Sequence, residues 1–582
     1  MKCTTFAVKE ILLLCLFSIH LSSKGQGFLK ADGQKIVNEK GENVLLRGIG
    51  LGGWMLQEGY MLHLNREGQQ YRIRQRMDSL IGKNATDSFY TAWLNNHTTR
   101  ADIDSLHAWG FNSVRLPMHY RLFTLSPDEE PAAGENTFVN TGFDLTDSLI
   151  SWCKSRGMYV FLDLHAAPGG QGNDLNISDR DPSKPSLWQS EAAKKKTIAL
   201  WTKLASRYAN EPAVGGYDIL NEPNWGFEDT VNDLNGTKEQ KNIPLRQLLI
   251  AITRAIRSVD QKHLVIIEGN GWGNNYKGVV PPWDGNMVLS FHKYWNYNDE
   301  KSIQYILDYR NKYNIPVWLG ETGENSNTWF TDAVLLLESH NIGWAWWPLK
   351  KLGNNNPLQI ASNPAYDSLV DYWNGKNSVA PKNAYAGLMQ LAQDSRCEKN
   401  IVDRDVIDAM FRQTHDRKNL PFKIHEIPKD PVIWAVDFDL GPNGVAYYDL
   451  DTGSYWVSGS KERGGNLGRV YRNDGVDIYP GQNPPFFVGK IESGEWMEYT
   501  IRVARQGLYN VNVLVSSDST GGVFSIETDH NYIATNMAVP LTGGQWKTLT
   551  IKNVALESGT LHLKFKAIKG GFRFAQIGFI LQ

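Results

Sequence analysis

The run V-G-G-Y-D-I-L-N-E-P, Val214 to Pro223, decides how the rest of the chain is read. A short, mostly apolar stretch, Val214 to Leu220, ends abruptly on the polar pair Asn221 and Glu222. That is the pattern of a strand covered on both faces, as in a parallel sheet. Similar runs lie on either side of it: Val44 to Ile49, Asn112 to Leu116 and Tyr159 to Leu164 before, and Leu264 to Glu268, Met287 to Phe291, Val317 to Gly320 and Ile342 to Trp346 after. Between them the period changes to that of helices with one buried face, as in Leu145, Leu149, Trp152 and Cys153, or Leu245, Leu248, Ile252, Ile256 and Val259. Gly157 stands where a left-handed helix cap would, just before Tyr159. Strand and helix in alternation predict an α/β fold with parallel strands. Eight such units in about 350 residues predict a (β/α)8 barrel, whose chemistry lies at the C-terminal ends of its strands.

The rest of the chain reads differently. From Pro431 to Gln582 short alternating runs follow one another, among them Trp496 to Val503, Leu508 to Val515, Val523 to Thr528, Thr548 to Ile551 and Thr560 to Phe565, with glycine-rich turns between them. This predicts an all-β sandwich. Helical stretches Ala384 to Leu391 and Val402 to Phe411 close the first domain, and Arg417 to Asp430 reads as an extended linker. The expected organisation is a leader over 1–25, a catalytic barrel over 26–416, a linker over 417–430 and a sandwich over 431–582.

The leader reading rests on Lys2 and Lys9 ahead of the apolar run Ile11 to Leu21, with Ser23 and Gly25 at cleavage spacing. That run is well short of the roughly 20 residues of a membrane span, so export without an anchor is expected. Cys3 and Cys15 would leave with the leader, and Cys153 and Cys397 alone make neither a disulfide framework nor a zinc site. With 60 Lys and Arg against 62 Asp and Glu, the formal charge of −2 supplies no field for nucleic acid. The 20 Trp, 24 Tyr and 22 Phe give the chain many flat apolar faces, the surfaces that pack on sugar rings.

At the strand ends stand Arg115, His165, Asn221 with Glu222, His292 with Tyr294, Glu321, and Trp347. Two glutamates ending the fourth and seventh strands can meet across one barrel mouth. Glycoside hydrolysis with retention needs such a pair, about 5 to 5.5 Å apart, one to protonate the leaving oxygen and one to attack the anomeric carbon. Asn221 is placed to hold a neighbouring sugar hydroxyl, Arg115 to keep Glu321 ionised, and His292 and Tyr294 to orient the glutamates. Gly48, Gly50 and Gly53 also satisfy G-x-G-x-x-G after a strand, but no helical stripe and no second acidic strand end follow. These glycines are read instead as letting the backbone turn sharply at the mouth.

In order and spacing, L-R-G-I-G-L-G-G-W, S-V-R-L-P, L-D-L-H, I-L-N-E-P, F-H-K-Y, L-G-E-T and G-W-A-W-W-P-L resemble glycoside hydrolase family 5 over about Phe28 to Asp394. The resemblance implies a retaining β-glycosidase with Glu222 as acid/base and Glu321 as nucleophile. It also implies a substrate site of Arg115, His165, Asn221, His292, Tyr294 and Trp347, the last chosen over Trp344 and Trp346 because W-P-L resembles the family's ending. No metal or other cofactor is implied, and the G-L-G-G-W entry leans toward a β-glucan over β-mannan or xylan. The runs G-V-A-Y-Y-D, Y-R-N-D-G-V-D-I, V-G-K-I-E-S-G-E-W-M-E-Y-T-I-R-V and G-L-Y-N-V-N-V-L-V resemble a carbohydrate-binding module of family 6, a sandwich that grips sugar between two aromatic rings. Tyr471 and Trp546 are the ring candidates. Trp434 and Val436 stand where that family places acidic calcium ligands, which argues against calcium. The expected molecule is a secreted, monomeric hydrolase whose module tethers it to a polysaccharide, without nucleic-acid partners or a membrane span. A secreted carbohydrate-binding protein that has lost catalysis is the alternative, distinguished by binding without hydrolysis.

Overall fold

In the computed structural model, residues 26–582 are described apart from 65, 377, 451–455, 460–464 and 530; the expected leader lies outside them. Eight parallel strands close into a barrel. They are β1 (Arg47–Gly50), β2 (Ser113–His119), β3 (Tyr159–Ala166), β4 (Val214–Asp218), β5 (Leu264–Glu268), β6 (Met287–Lys293), β7 (Val317–Gly323) and β8 (Gly343–Trp347). Each pairs with the next, and β8 closes on β1 through Trp344, Ala345 and Trp346 against Arg47, Gly48 and Ile49. β2 to β8 are buried along their whole length, which is why they read as apolar runs without alternation. A short hairpin, Lys30–Asp32 with Lys35–Val37, precedes the barrel. Helices such as Ile243–Arg257 turn Leu245, Leu248, Leu249, Ile252 and Ile256 inward onto the strands. Cys153 and Cys397 are both free, the first buried in the core.

The helices Pro381–Asp394 and Arg404–Phe411 complete the barrel side. The chain then enters the sandwich earlier than expected. β9 (His425–Ile427) falls inside the stretch read as linker and pairs in parallel with β14 (Trp496–Val503). Its three residues are too short a run to stand out from extended chain by periodicity. β10 (Val432–Trp434), β11 (Tyr447–Tyr448), β12 (Ile478–Pro480), β13 (Phe486–Val488), β15 (Gly507–Ser516), β16 (Gly522–Thr528), β17 (Tyr532–Val539), β18 (Lys547–Leu556), β19 (Gly559–Lys569) and β20 (Arg573–Leu581) complete the domain. One sheet runs β9-β14-β19-β16-β17 and the other β12-β13-β20-β15-β18. Their inner faces meet over Tyr499, Val511, Val513, Phe524, Leu563, Phe565, Phe574 and Ile577, all buried.

Candidate active site

Arg115, on β2, organises the barrel mouth. Its guanidinium is wholly buried and donates to Asp218 (2.9 Å), Glu321 (2.5 Å), Asn221 (2.8 Å) and Glu268 (3.0 Å), with Asp163 3.2 Å away. Burial opposes its charge, but Asp163, Asp218, Glu321 and Glu268 outweigh that and hold its pKa well above the ordinary value. Four strands, β3, β4, β5 and β7, thus bring polar side chains to one cation on β2.

The expected glutamates come together. One oxygen of Glu222 and one of Glu321 lie within 4.8 Å of each other, with His292 Nδ1 between them, 2.6 Å from Glu222 and 3.6 Å from Glu321. Their surroundings differ. Glu321 takes the Arg115 contact and the Tyr294 hydroxyl at 3.3 Å. Glu222 meets no guanidinium among the described contacts; burial pushes its carboxyl up to about 7, a rise that His292 opposes and that Glu321 and Glu268 reinforce. Burial also works against a charge on His292, yet Glu268, Glu321 and Glu222 raise its pKa well above the usual histidine range.

His165 is the opposite case. Burial lowers its pKa to about 3, so the ring is neutral. Its partners then assign the tautomer: Nδ1 donates to Asp163 at 2.7 Å, leaving Nε2 to accept from the Asn221 amide at 3.4 Å. Its ring stacks on Trp347, centroids 5.2 Å apart and planes 5° from parallel. Of the three tryptophans at the end of the barrel sequence, Trp344 and Trp346 pack outward, the first donating to Glu338 and the second lying against Trp329 and Phe330. Trp347 faces the mouth and donates its indole N–H to the Tyr60 hydroxyl at 3.0 Å.

The glycines of G-L-G-G-W need a different account from the expected turn. Only Gly53, at φ +84°, takes a left-handed conformation. A Cβ on Gly50 would stand 2.6 Å from the Trp347 ring and one on Gly52 2.7 Å from it, so two of these glycines make room for that ring.

Four carboxylates at the site escaped the sequence reading: Asp163 and Asp218, both on Arg115, and two more. Glu268, the last residue of β5, accepts the backbone N–H of Glu222 at 2.7 Å and lies 3.3 Å from His292 Nε2. Burial raises its pKa, and His292, Arg115 and that N–H bring it down to about 2. Its signal was available, because it is one more polar residue closing a barrel strand. Glu58 is buried close enough to Glu321, Glu324 and Glu222 that burial first, and their charges next, raise its pKa well above normal; the loop sequence around it carries no period that would single it out.

The two buried triads Asp163–His165–Glu321 and Glu222–His292–Glu321 each bring one ligand atom per residue within 4.8 Å, as a metal site does. All five residues have hydrogen-bond partners within the protein. Beyond them, a cavity of about 1030 Å³ opens at the ends of β1 to β3, walled in part by Trp54, Tyr71, His119, Tyr120 and Asp179.

In the sandwich the expected pair of rings does not form. Tyr471 packs against Phe486, centroids 5.0 Å apart, under the Lys423 ammonium, and gives its hydroxyl to Asp437. Trp546 packs against Phe487, 5.4 Å away. Phe486 and Phe487 are consecutive on β13 and so point to opposite faces of its sheet. Tyr471 and Trp546 therefore sit on opposite sides of one strand and cannot clamp a sugar together. Sequence order alone hides this, because the separation is decided by a third segment.

A closed (β/α)8 barrel with paired glutamates at its mouth, followed by a β-sandwich, is the architecture of a glycoside hydrolase with an accessory domain. Comparison makes the assignment specific: residues 75–353 match the cellulase model of glycosyl hydrolase family 5 and residues 470–580 match the family 6 carbohydrate binding module, so the chain is a family 5 glycoside hydrolase carrying a family 6 module. Among curated relatives, a β-xylosidase of Phanerodontia chrysosporium is 25% identical over 417 residues, which are 62% of this chain and 82% of that protein. A probable glucan 1,3-beta-glucosidase A of Aspergillus niger is 28% identical over 183 residues, 31% of this chain and 41% of that protein. Endoglucanase C of Acetivibrio thermocellus is 23% identical over 367 residues, 52% of this chain and 91% of that protein. The chain thus spans less than half the length of the glucosidase. Among the described residues, no helix is long and apolar enough to cross a membrane.

Proposed function

We propose that the protein is an exported, retaining β-glycosidase that cleaves a β-glucan by double displacement, with Glu222 as acid/base and Glu321 as nucleophile. The observation that carries this is the approach of the two glutamates to within 4.8 Å in unequal surroundings. That separation suits direct attack by a carboxylate; an inverting pair stands about 6.5 to 9.5 Å apart, leaving room for a water between.

In the first step Glu222 gives its proton to the glycosidic oxygen as that bond breaks, and Glu321 bonds to the anomeric carbon. In the second, Glu222 takes a proton from water, the hydroxide attacks the same carbon, and Glu321 leaves as carboxylate. A proton donor with its pKa near 7 is matched to the first task, and the second residue is held in contact with the Arg115 guanidinium. Asn221, held by Arg115 and facing neutral His165, has its amide fixed for a hydroxyl beside the reacting carbon. Trp347 supplies the flat floor. Apart from water, these steps require nothing that the two carboxyl groups do not supply.

Hydrolysis of β-1,3- and β-1,4-glucans, mannan and xylan, with product sizing and proton NMR of the first-formed anomer, tests this reading. A β-glucan cleaved to a β-configured product is the expected result; an α-configured first product sinks the mechanism. The relative named β-xylosidase, which matches 417 residues, favours one second reading, a xylan-derived substrate handled by the same mechanism. Xylan cleaved while glucans resist would select it.

A further inference from the structure

A second cavity, about 530 Å³, lies between the barrel and the sandwich, within the size range of small-ligand sites. We propose that it is a sugar subsite built jointly by the two domains, with Trp295 of the barrel and Trp456 of the sandwich as its aromatic wall, so that one glycosyl unit of a longer substrate is held by both. The inference rests on the glycosidase reading of Glu222 and Glu321 and adds a substrate-binding residue from the second domain.

Position is the first argument. Trp295 follows Tyr294, whose hydroxyl meets Glu321, and the two rings are 5.6 Å apart. Glu324, also on the wall, is three residues beyond Glu321 and pairs with Lys351 at 2.5 Å. Tyr60, on the same wall, is the partner of the Trp347 indole. The cavity is therefore next to the proposed reaction centre, one layer of side chains from the nucleophile.

Chemistry is the second. The rings of Trp295 and Trp456 are 4.5 Å apart at 44°, both half-buried at the cavity's edge. Carboxylate, ammonium and amide groups from Glu324, Lys351 and Asn354 stand on the same wall. Aromatic faces beside such donors and acceptors suit a pyranose, which has apolar C–H faces and a rim of hydroxyls.

Rigidity is the third. A ring at the end of a loose tether would have to be ordered by each substrate, at a cost in affinity. The Trp456 backbone is already fixed: its N–H donates to the Asn325 side-chain carbonyl and its own carbonyl accepts from the same side chain's amide, both at 2.9 Å, while the Ser458 N–H donates to the Trp295 carbonyl at 2.7 Å. The Ser458 contact is a backbone bond between the domains. Asn325 lies four residues beyond Glu321, so the loop that leaves the nucleophile strand is the one that holds the sandwich tryptophan. Trp456 is thus a sandwich ring held at the wall of the cavity beside the proposed reaction centre.

The test uses the full chain with Trp456→Ala and Trp456→Phe. The probes are cello-, laminari- and xylo-oligosaccharides of two to six units, and the readout is kcat/KM against chain length. In Trp456→Ala the ratio of kcat/KM on the hexasaccharide to that on the disaccharide should fall about tenfold in the series the wild type prefers, mainly through KM, the size expected from losing one aromatic face. Trp456→Phe should restore most of it. An unchanged length dependence in Trp456→Ala overturns the inference. So does an equal loss at every length together with a lower unfolding temperature, which would make Trp456 a docking residue only. A wild type inert on all three series and on manno-oligosaccharides would overturn the underlying glycosidase reading, a result distinct from both.

Discussion

Glu222 carries a backbone strain as well as a buried carboxyl. It adopts φ +40°, a region L side chains rarely occupy, four residues beyond the end of β4. Glu268 secures it by accepting its N–H, and that bond also sets the distance from Glu222 to His292. The same burial that limits water here raises the carboxyl to about 7. Because the acid form is needed to protonate the leaving group, kcat/KM should fall as pH rises through about 7, an apparent value belonging to the coupled Glu222–His292–Glu268 set. Glu222→Gln should abolish cleavage of polymers by at least a hundredfold. On an aryl glycoside with a good leaving group its first step should be far less impaired, and the alkaline limb should vanish from that step's pH profile. If the limb persists in Glu222→Gln, another group is the acid.

At the scale of elements, the barrel strands were legible because burial on both faces makes a run apolar throughout. Their ends were less so. β2 continues to His119, β6 to Lys293 and β7 to Gly323, beyond the limits the apolar runs suggested. The ladder goes on through His119, His292 and Glu321, polar residues that lie past a register shift. A criterion based on hydrophobicity stops where the chemistry begins. The pairing of sandwich rings was illegible for another reason, since it turns on which face of β13 each ring meets.

The close approach of β1 to β8 gives a test at the same scale. Gly50→Ala places a methyl 2.6 Å from a Trp347 ring that cannot retreat, being stacked on His165 and bonded to Tyr60. It should destabilise the fold by about 1–3 kcal/mol and lower kcat/KM tenfold or more. Gly285→Ala, where an added Cβ meets nothing within 4 Å, is the control and should leave the urea midpoint and the rate unchanged. Equal behaviour of the two variants would show that Trp347 is not confined as described.

At the scale of the molecule, the two domains are joined by a buried polar seam, which differs from the tether expected from the sequence. Asp405, on the last barrel-side helix, accepts from the Asn473 backbone at 2.7 Å and from Asn327 at 2.8 Å; Asn327 also donates to Asp474 at 2.9 Å, and the Asn354 amide to the Arg472 carbonyl at 2.9 Å. Such contacts fix one orientation, because each displaced partner would leave a buried group unpaired. Burial raises the Asp405 carboxyl to about 6; Asp474 adds to the rise, while Arg472, the Asn473 N–H and Asn327 oppose it. The sign follows from linkage. A carboxyl whose pKa is higher in the folded protein than in the unfolded chain contributes its full share to stability below the unfolded value, near 4, and loses it as pH climbs through about 6. Both native bonds reach the same oxygen, Oδ2, so an asparagine oriented with its carbonyl there can accept them without ever ionising. Asp405→Asn should therefore fold, and its unfolding temperature should rise relative to the wild type's from about pH 4, the gap reaching its full size just above pH 6. Asp405→Ala should be destabilised throughout. Calorimetry across pH separates these outcomes: if wild type and Asp405→Asn keep a constant offset, the seam does not titrate and its specificity rests on the amide contacts alone.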